Sequence, residues 1–583
     1  MLRFLHKFRH RLSDIDALPQ LTLLGAVIGC VAGLFIVMFR YAIEMPLSYF
    51  LPLNNENFEG LTPLWQFGLP VVGALIIGAG FHFLDSKQRH VGIGHVLERL
   101  HNYEGRMPAI NLVVQFVGGA ISLICGHSVG REGPAVHIGA SISSLIGQWL
   151  KLPNNSLGTL IGCGVAAAIA ASFNTPIAGV IFAMEVVLMS YTIVGFIPIM
   201  MASVCGALIA RAAFGNELFL TIENIELNGL IEMPFMLIAG IIVALFASAY
   251  IKLQLSFGRF NHYPIFARIM AAGLMTGCVA VFFPEILGLG YDTINLTIEG
   301  KLGLGFLLAL VLSKIVVTSF SITMGIPGGI IGPQLFIGAC IGGFIGIVGN
   351  SLFPDNIHNN GIYVLLGMAA MMGAVLNAPL AALMAVLELT YSPGVIFPSM
   401  LIIVVACVLT RYLCKCDGIF VAQLQLKGTQ LNISPIKQVL GAIGVRSVMT
   451  TAFTECESKI STTAAHHLLT MNSLWIIIKT EDDLLLLRAA DLALALEILK
   501  EDADVIKYDS VAINNEISID LLEIPAQRFN ILPIPELASL FEAKQILDSH
   551  PGYALFVTPQ IQVTSVSKRL GIITQDTINH YYI

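Results

Sequence analysis

Charge is scarce in this sequence. Of its 583 residues only 12% are Asp, Glu, Lys or Arg, about half the roughly 25% typical of soluble domains, while 56% are hydrophobic. A chain so poor in charge cannot cover a globular surface of its size, which excludes a soluble enzyme or binding module as the reading of the whole chain. Positive charge is not in excess either. The formal net charge is −7, and no polybasic run is present, so no nucleic-acid partner is expected. The cysteines, Cys30, Cys125, Cys163, Cys205, Cys278, Cys340, Cys407, Cys414, Cys416 and Cys456, have no metal-ligand spacing. They read as reduced thiols, and no metal site is expected. Neither G-x-x-x-x-G-K-[ST] nor H-E-x-x-H occurs, which argues against a P-loop pump or a zinc protease. No short signal peptide with a small-residue cleavage site is apparent at the start, and the first apolar run reads as a retained span.

Long apolar stretches take the place of charge. They begin at about Leu21 to Ile43 and Leu64 to Phe83 and continue to Val395 to Leu413, so the chain reads as a polytopic, all-α membrane protein whose solvent is the lipid bilayer. Several stretches, such as Ala135 to Leu150 and Leu380 to Leu389, are shorter than the roughly 20 residues of a straight crossing. Short, glycine-interrupted segments are what transporters use where helices break at mid-membrane to line a site. Arg3, Lys7, Arg9 and Arg11 precede the first span, and Arg411 and Lys415 follow the last. Both termini are therefore expected in the cytoplasm, with an even number of crossings between them, and a bacterial inner membrane is the expected location.

Within these stretches one carboxylate stands out. Gly130-Arg131-Glu132-Gly133-Pro134 puts Glu132 at the glycine-flanked entry of an apolar segment. An ionisable residue there is costly and marks a pathway or a gate. Bare N–H groups and the helix dipole at such a terminus attract anions, and a carboxylate already in place can occupy the anion's seat. Local pairing of Glu132 with Arg131 is the structural alternative.

The membrane part also repeats itself. Gly164-Val165-Ala166-Ala167, Asn174-Thr175-Pro176 and Glu185 recur as Gly367-Met368-Ala369-Ala370, Asn377-Ala378-Pro379 and Glu388, all offset by 203 positions, and Gly133-Pro134 recurs as Gly332-Pro333. Duplication of this kind in a membrane protein places the site at the interface of two halves.

With Gly328-Gly329-Ile330-Ile331-Gly332-Pro333 added, this set resembles the CLC family of chloride channels and chloride/proton exchangers over roughly residues 20 to 430. The resemblance implies a CLC-type inverted repeat with broken and tilted helices, and a homodimer with one pore per subunit for chloride and similar small anions. It implies that Glu132 is the external gate. Arg131 and Gly133 belong to the same motif, and Gly133 and Gly332 match positions lining the outer anion site. Ile330 and Ile331 match residues whose backbone N–H groups hold the central anion. Helix-end partial charges attract chloride without the deep trap a lysine would create. No enzymatic activity is expected.

Three departures from the family pattern bear on mechanism. In Gly92-Ile93-Gly94-His95-Val96, Ile93 stands where the family has a serine hydroxyl, and Phe420 stands where it has a pore tyrosine. Each missing neutral hydrogen bond removes on the order of 1 kcal/mol from central anion binding. Val186 occupies the position where exchangers carry the inner proton-accepting glutamate. Its neighbour Glu185, duplicated as Glu388, reads as a structural cap or part of a buried network. His127 and His137 near Glu132 read as packed or locally bonded residues rather than a relay. The expectation is gated, channel-like or uncoupled chloride flux. The alternatives are an H⁺/Cl⁻ antiporter using another internal acid and, outside the family, a cation transporter bearing a CBS pair, which should ring its pore with acidic residues. Fluoride exchange is disfavoured by Pro134 and Ile93.

From about Val445 the pattern changes to short apolar strands such as Trp475-Ile476-Ile477-Ile478 between helical segments, an α/β composition. From Arg446 onward there are 18 acidic and 10 basic residues. Val445 to Thr450, and Ser539 to Ala543 with Arg569 to Thr574, resemble the two copies of a CBS pair, which implies a cytoplasmic regulatory domain. Adenine nucleotide is its one candidate ligand, and spacing weighs against it: Thr574 lies two rather than three before Asp576, and Arg488 replaces the hydroxyl expected before Asp491. Otherwise no cofactor is expected and chloride is the ligand. The expected organisation is a basic segment 1–20, a pore domain 21–430 in repeats of about 21–213 and 231–430, a linker 431–445, and the CBS-pair domain 446–583.

Overall fold

The computed structural model describes residues 12, 17–51, 57–215, 232–352, 360–390, 392–415, 417–431, 434–480, 483–506, 518–559 and 569–581. Arg3, Lys7, Arg9, Arg11 and Cys416 lie outside the described residues. The chain divides into two compact units, one of 18–150 and 157–432, the other of 1–17, 151–156 and 433–583.

The larger unit is helical. Its first half comprises α1 (Leu18–Phe50), α2 (Pro63–His82), α3 (Gly92–Asn102), α4 (Ala109–Ile124), α5 (Glu132–Trp149), α6 (Asn154–Phe173), α7 (Pro176–Phe182, running into a π turn Ala183–Leu188) and α8 (Ile193–Phe214). Its second half comprises α9 (Glu232–Phe257), α10 (Ile265–Ala280), α11 (Tyr291–Ile298), α12 (Leu304–Met324), α13 (Ile331–Leu352), α14 (Asn360–Leu376), α15 (Pro379–Thr390), α16 (Ile396–Cys414) and α17 (Ile419–Leu426). Among the described residues, eight helices are long and apolar enough to cross a membrane by length and composition. Others, such as α7 and α15, are half that length, as expected where helices start or stop inside the bilayer.

The repeat is visible in the packing. Asn174 and Asn377 both adopt a left-handed backbone, φ +59° and +56°, a conformation asparagine tolerates better than most residues. Each turn delivers the chain to a proline at the start of a helix, α7 or α15, where the missing N–H costs nothing. The two short helices then cap each other. Glu388 of α15 accepts from the Ile177 and Ala178 N–H groups at 2.8 and 2.7 Å, and Glu185 accepts from Leu380 and Ala381 at 3.3 and 2.7 Å. Helix crossings match as well. Gly139 lies on the Gly164 backbone where α5 meets α6, and Gly338 on that of Gly367 where α13 meets α14, so a Cβ at any of them would strike a main chain.

The smaller unit is α/β. Strands β1 (Phe453–Glu457), β2 (Lys459–Ser461), β3 (Trp475–Lys479), β4 (Leu484–Arg488), β5 (Ser518–Asp520), β6 (Phe529–Pro535), β7 (Tyr553–Thr558) and β8 (Gly571–Ile573) form a sheet of order β1-β3-β4-β6-β7-β8 and a separate β2-β5 pair. The sheet is built of two like halves. β1 runs parallel to β3 and β3 antiparallel to β4; β6 runs parallel to β7 and β7 antiparallel to β8. The parallel pairs are crossed over by α19 (Thr462–Thr470) and α21 (Leu540–Ser549), and α20 (Ala489–Ile506) and α22 (Gln575–Asn579) follow each half. This duplicated α/β unit is in keeping with the CBS-pair expectation. The stretch expected as linker differs. Within 431–445 lies α18 (Pro435–Gly441), and Leu440, Ile443 and Val445 are buried in one core with Ile534, Leu540 and Leu555. Those three apolar side chains are what draw the segment into the domain.

Candidate functional site

The two glycine-rich turns of the repeat meet. Gly130 N donates to Gly329 O at 2.7 Å and Gly329 N to Gly130 O at 2.6 Å, an antiparallel bridge joining the loops that precede α5 and α13. Glycine is required by the closeness of the backbones. A Cβ at Gly133 would lie 2.6 Å from Gly329 Cα, and one at Gly329 would lie 2.5 Å from Gly133 N. Two helix N-termini, Glu132 and Ile331, thus converge from opposite halves, and their orphan N–H groups and dipoles concentrate partial positive charge at one place.

Glu132 sits at this junction, fully buried. Its Oε2 accepts from the Gly332 N–H at 3.1 Å, while Oε1 has no hydrogen-bond partner among the described residues. The carboxylate therefore holds a backbone donor of the opposite half through a single bond, as a bound anion would. Arg131 turns away from it: Nη2 donates to Ser172 O at 3.1 Å and Nη1 lies 3.9 Å from Glu44. The local Glu132–Arg131 pair is not what this geometry shows.

On the other side of the junction opens a cavity of about 800 Å³, and Gly133, Ile330, Ile93 and Phe420 all line it. Ile93 and Phe420 come from the first turns of α3 and α17, each preceded by a glycine in a left-handed backbone, Gly92 at φ +82° and Gly418 at +100°. The Gly92 N–H is taken by Gln115 Oε1 at 2.7 Å. Ile331 and Gly332 stand behind the wall at the start of α13, and Arg131 lines a separate small pocket with Arg40 and Glu44. Arg89, Arg259, Arg268 and Lys427 also line the large cavity, with Glu98 the one acidic residue among its lining. A cavity lined by four basic residues against one acidic one draws anions and repels cations, opposite to the acidic ring a cation transporter needs. Sequence reasoning had not singled out these four residues. They come from separate segments, and no local pattern marks them.

Val186 lies in the π turn after α7 and is buried. Glu185, next to it, has both carboxylate oxygens committed to the N-terminus of α15. His127 is fully buried, and neither ring nitrogen has a hydrogen-bond partner among the described residues. His137, read from the sequence as packed or locally bonded, is bonded to His95 at 2.9 Å.

A family model described as voltage gated chloride channel matches residues 72–411, more than half of the chain. The chain belongs to the voltage-gated chloride channel, or CLC, family. The H(+)/Cl(-) exchange transporter ClcA of Salmonella paratyphi B is 26% identical over 421 residues, covering 69% of this chain and 88% of the relative. A solved slow cyanobacterial Cl-/H+ antiporter superposes with a TM-score of 0.61 at 20% identity over 70% of this chain and 97% of its own. A eukaryotic CLC transporter superposes with a TM-score of 0.58 at 16% identity over 97% of this chain and 99% of its own. That last likeness extends the shared fold through the C-terminal unit. As a CLC protein the chain is an integral, multi-pass anion transporter of the membrane and not an enzyme.

Proposed function

We propose that this CLC protein carries chloride and similar small anions from the cationic cavity past the Ile330 and Gly133 backbone to the junction of α5 and α13, that Glu132 is the protonatable gate there, and that flux is passive. The observation that carries the gate is the Gly332 N–H bonded to Glu132 Oε2, a carboxylate in the seat of an anion. Passive flux is supported by Val186, which cannot titrate, and by Glu185, whose carboxylate is occupied as a helix cap. These two residues set the reading apart from the exchange activity in the relatives' names. Ile93 and Phe420 offer no hydroxyl to the anion, so its binding rests on backbone N–H groups and on the field of the cavity.

The deciding experiment records chloride and proton movement together from the purified protein in voltage-clamped liposomes. Dissipative chloride flux with no linked proton flux is expected. A chloride gradient that drives sustained uphill proton movement at a fixed stoichiometry would assign exchange instead.

As in the family pattern, the protein is proposed to assemble as a homodimer with one anion path per subunit, to be tested by the mass of the detergent-solubilised particle. The C-terminal unit is proposed to tune flux as a CBS pair without a required nucleotide. Asp576, the acid of the second copy, lies 3.5 Å from Arg488 of the first, and calorimetry with ATP, ADP and AMP tests whether any of them displaces that pair.

A further inference from the structure

One polar chain runs from the cavity wall into the protein and is unused by the gate. Arg99 Nε donates to His95 Nε2 at 3.1 Å, His95 Nδ1 is 2.9 Å from His137 Nε2, and His137 Nδ1 is 3.5 Å from Ser141 Oγ. Its protons can be assigned. Arginine only donates, so His95 Nε2 accepts, and the neutral ring carries its proton on Nδ1 and donates it to His137. The His137 proton is then on Nδ1, toward Ser141. While Arg99 holds Nε2, neither imidazole has a nitrogen open to a further proton.

His95 lines the cavity two residues beyond Ile93, and His137 lies behind it on α5, the helix that Glu132 begins. The groups facing His95 are His137 from α5, Arg99 and Glu98 from its own helix, His90 from the segment before it, and Lys427 after α17. Glu98 is drawn to His90 at 3.8 Å. Burial first, then the positive field of His137, Arg99, His90 and Lys427, holds His95 far below the usual imidazole range. Arg89, Arg259 and Arg268 on the same cavity add to that field. An anion in the cavity opposes all of these cations at once. A unit negative charge about 5 Å from the ring favours the imidazolium by roughly a hundredfold at an effective dielectric near 20.

We propose that a proton on the His95–His137 pair and an anion in this cavity bind as a linked couple, each raising the affinity for the other, with Arg99 leaving Nε2 as the proton arrives. The inference rests on the cavity being part of the anion path and goes beyond the Glu132 gate. It moves no proton across the membrane. By reciprocity, acid on the cavity side strengthens anion occupancy by the same factor that the anion strengthens proton binding.

The test uses the full-length Glu132→Gln protein, whose gate cannot titrate, with chloride as the probe. Chloride is added to weakly buffered protein at about pH 3, between the ring's titration without and with the anion, while proton uptake is followed with an indicator dye, and affinity is measured there and near neutrality by calorimetry. Proton uptake on chloride binding is expected, with chloride bound about tenfold more tightly at the acid pH. Both effects should vanish on adding His95→Gln and His137→Gln together, while His137→Gln alone, which keeps an acceptor for the His95 Nδ1 proton, should leave them in place. Arg99→Gln should shift the uptake to higher pH, a change that lost packing alone would not produce. Chloride binding without proton uptake, or uptake that survives both histidine substitutions, would overturn the proposal. Folded protein that binds no chloride would overturn the reading of the anion path, and this inference with it.

Discussion

Glu132→Gln is the substitution whose effect the geometry specifies most closely. On the proposed reading Glu132 is the gate, held at its seat by the Gly332 N–H bonded to Oε2, while Oε1 has no partner among the described residues. A hydrogen bond to a charged group is worth about 1.5–3 kcal/mol and a neutral one about 0.5–1.5 kcal/mol. Replacing the carboxylate by an amide therefore weakens the latch by about 1–2 kcal/mol, before the further 0.3–1 kcal/mol or so that a negative charge gains at a helix N-terminus. Each 1.4 kcal/mol or so is tenfold, so the closed fraction should fall relative to the open one by about 5- to 30-fold or somewhat more. Protonation of the carboxylate does the same in the wild type. Its flux should rise as external pH falls, whereas the glutamine variant should be high and flat with pH. The assay is chloride efflux from liposomes at fixed internal and varied external pH. Wild type and variant sharing one pH profile would refute the gating argument, as would a folded variant slower than the wild type at neutral pH.

Other substitutions address the frame around the gate. Gly329→Ala puts a Cβ 2.5 Å from Gly133 N and 3.0 Å from Gly130 O; overpacking of this kind costs about 1–3 kcal/mol, so a lower thermal midpoint and loss of flux are expected, and an unchanged midpoint with normal flux would contradict the bridge. Glu185→Ala leaves the Leu380 and Ala381 N–H groups unmet at about 1–3 kcal/mol each, so thermal stability should follow wild type, then Glu185→Gln, then Glu185→Ala, while proton-free flux persists in all three. A loss of linked proton movement at this residue would instead make it an acceptor. In the C-terminal unit, burial disfavours the charged Glu455 carboxylate, but Arg569 at 2.6 Å and Lys479 at 2.7 Å outweigh it and hold its pKa below the usual 4.5. A depressed carboxyl stabilises the fold above its unfolded pKa, and that contribution is lost as pH falls through the folded value. Glu455→Gln should thus lower stability at neutral pH and leave it unchanged well below pH 4.5, read from the fluorescence of Trp475 in the full chain.

Much of this fold is legible in one sequence because membrane helices and duplicated motifs are local signals. The offset shared by Asn174 and Asn377, and by Glu185 and Glu388, corresponds to matched left-handed turns and reciprocal caps, since each motif needs only its own few residues to form. Glu132 at a helix start follows in the same way from its glycines and Pro134. What escapes is whatever depends on distant segments meeting. The Gly130–Gly329 bridge joins loops from opposite halves, and neither loop announces its partner. The cationic wall is assembled from Arg89, Arg259, Arg268 and Lys427, each unremarkable where it stands. His95 and His137 lie 42 positions apart, and only the packing of α3 on α5 makes them a pair. The stretch 431–445 misleads for a different reason. Its apolar residues carry no mark of which unit they join, and the burial of Leu440, Ile443 and Val445 is decided by the domain it meets.

On the proposed reading, selectivity for anions comes from two sources that act at different ranges, and neither suffices alone. The cationic cavity raises the local concentration of any anion but sets no place for it to stop, since its side chains are spread around about 800 Å³. The junction of α5 and α13 offers such a place through backbone N–H groups, and their partial charges hold a monovalent ion without trapping it. Because the junction is formed by both halves across one glycine bridge, the carboxylate of the first half can close it only by bonding a donor of the second. The gate, the seat and the repeat are therefore one construction. A substitution that parts the Gly130–Gly329 bridge, such as Gly329→Ala, should remove the anion path itself, so that flux is lost rather than left ungated or unselective.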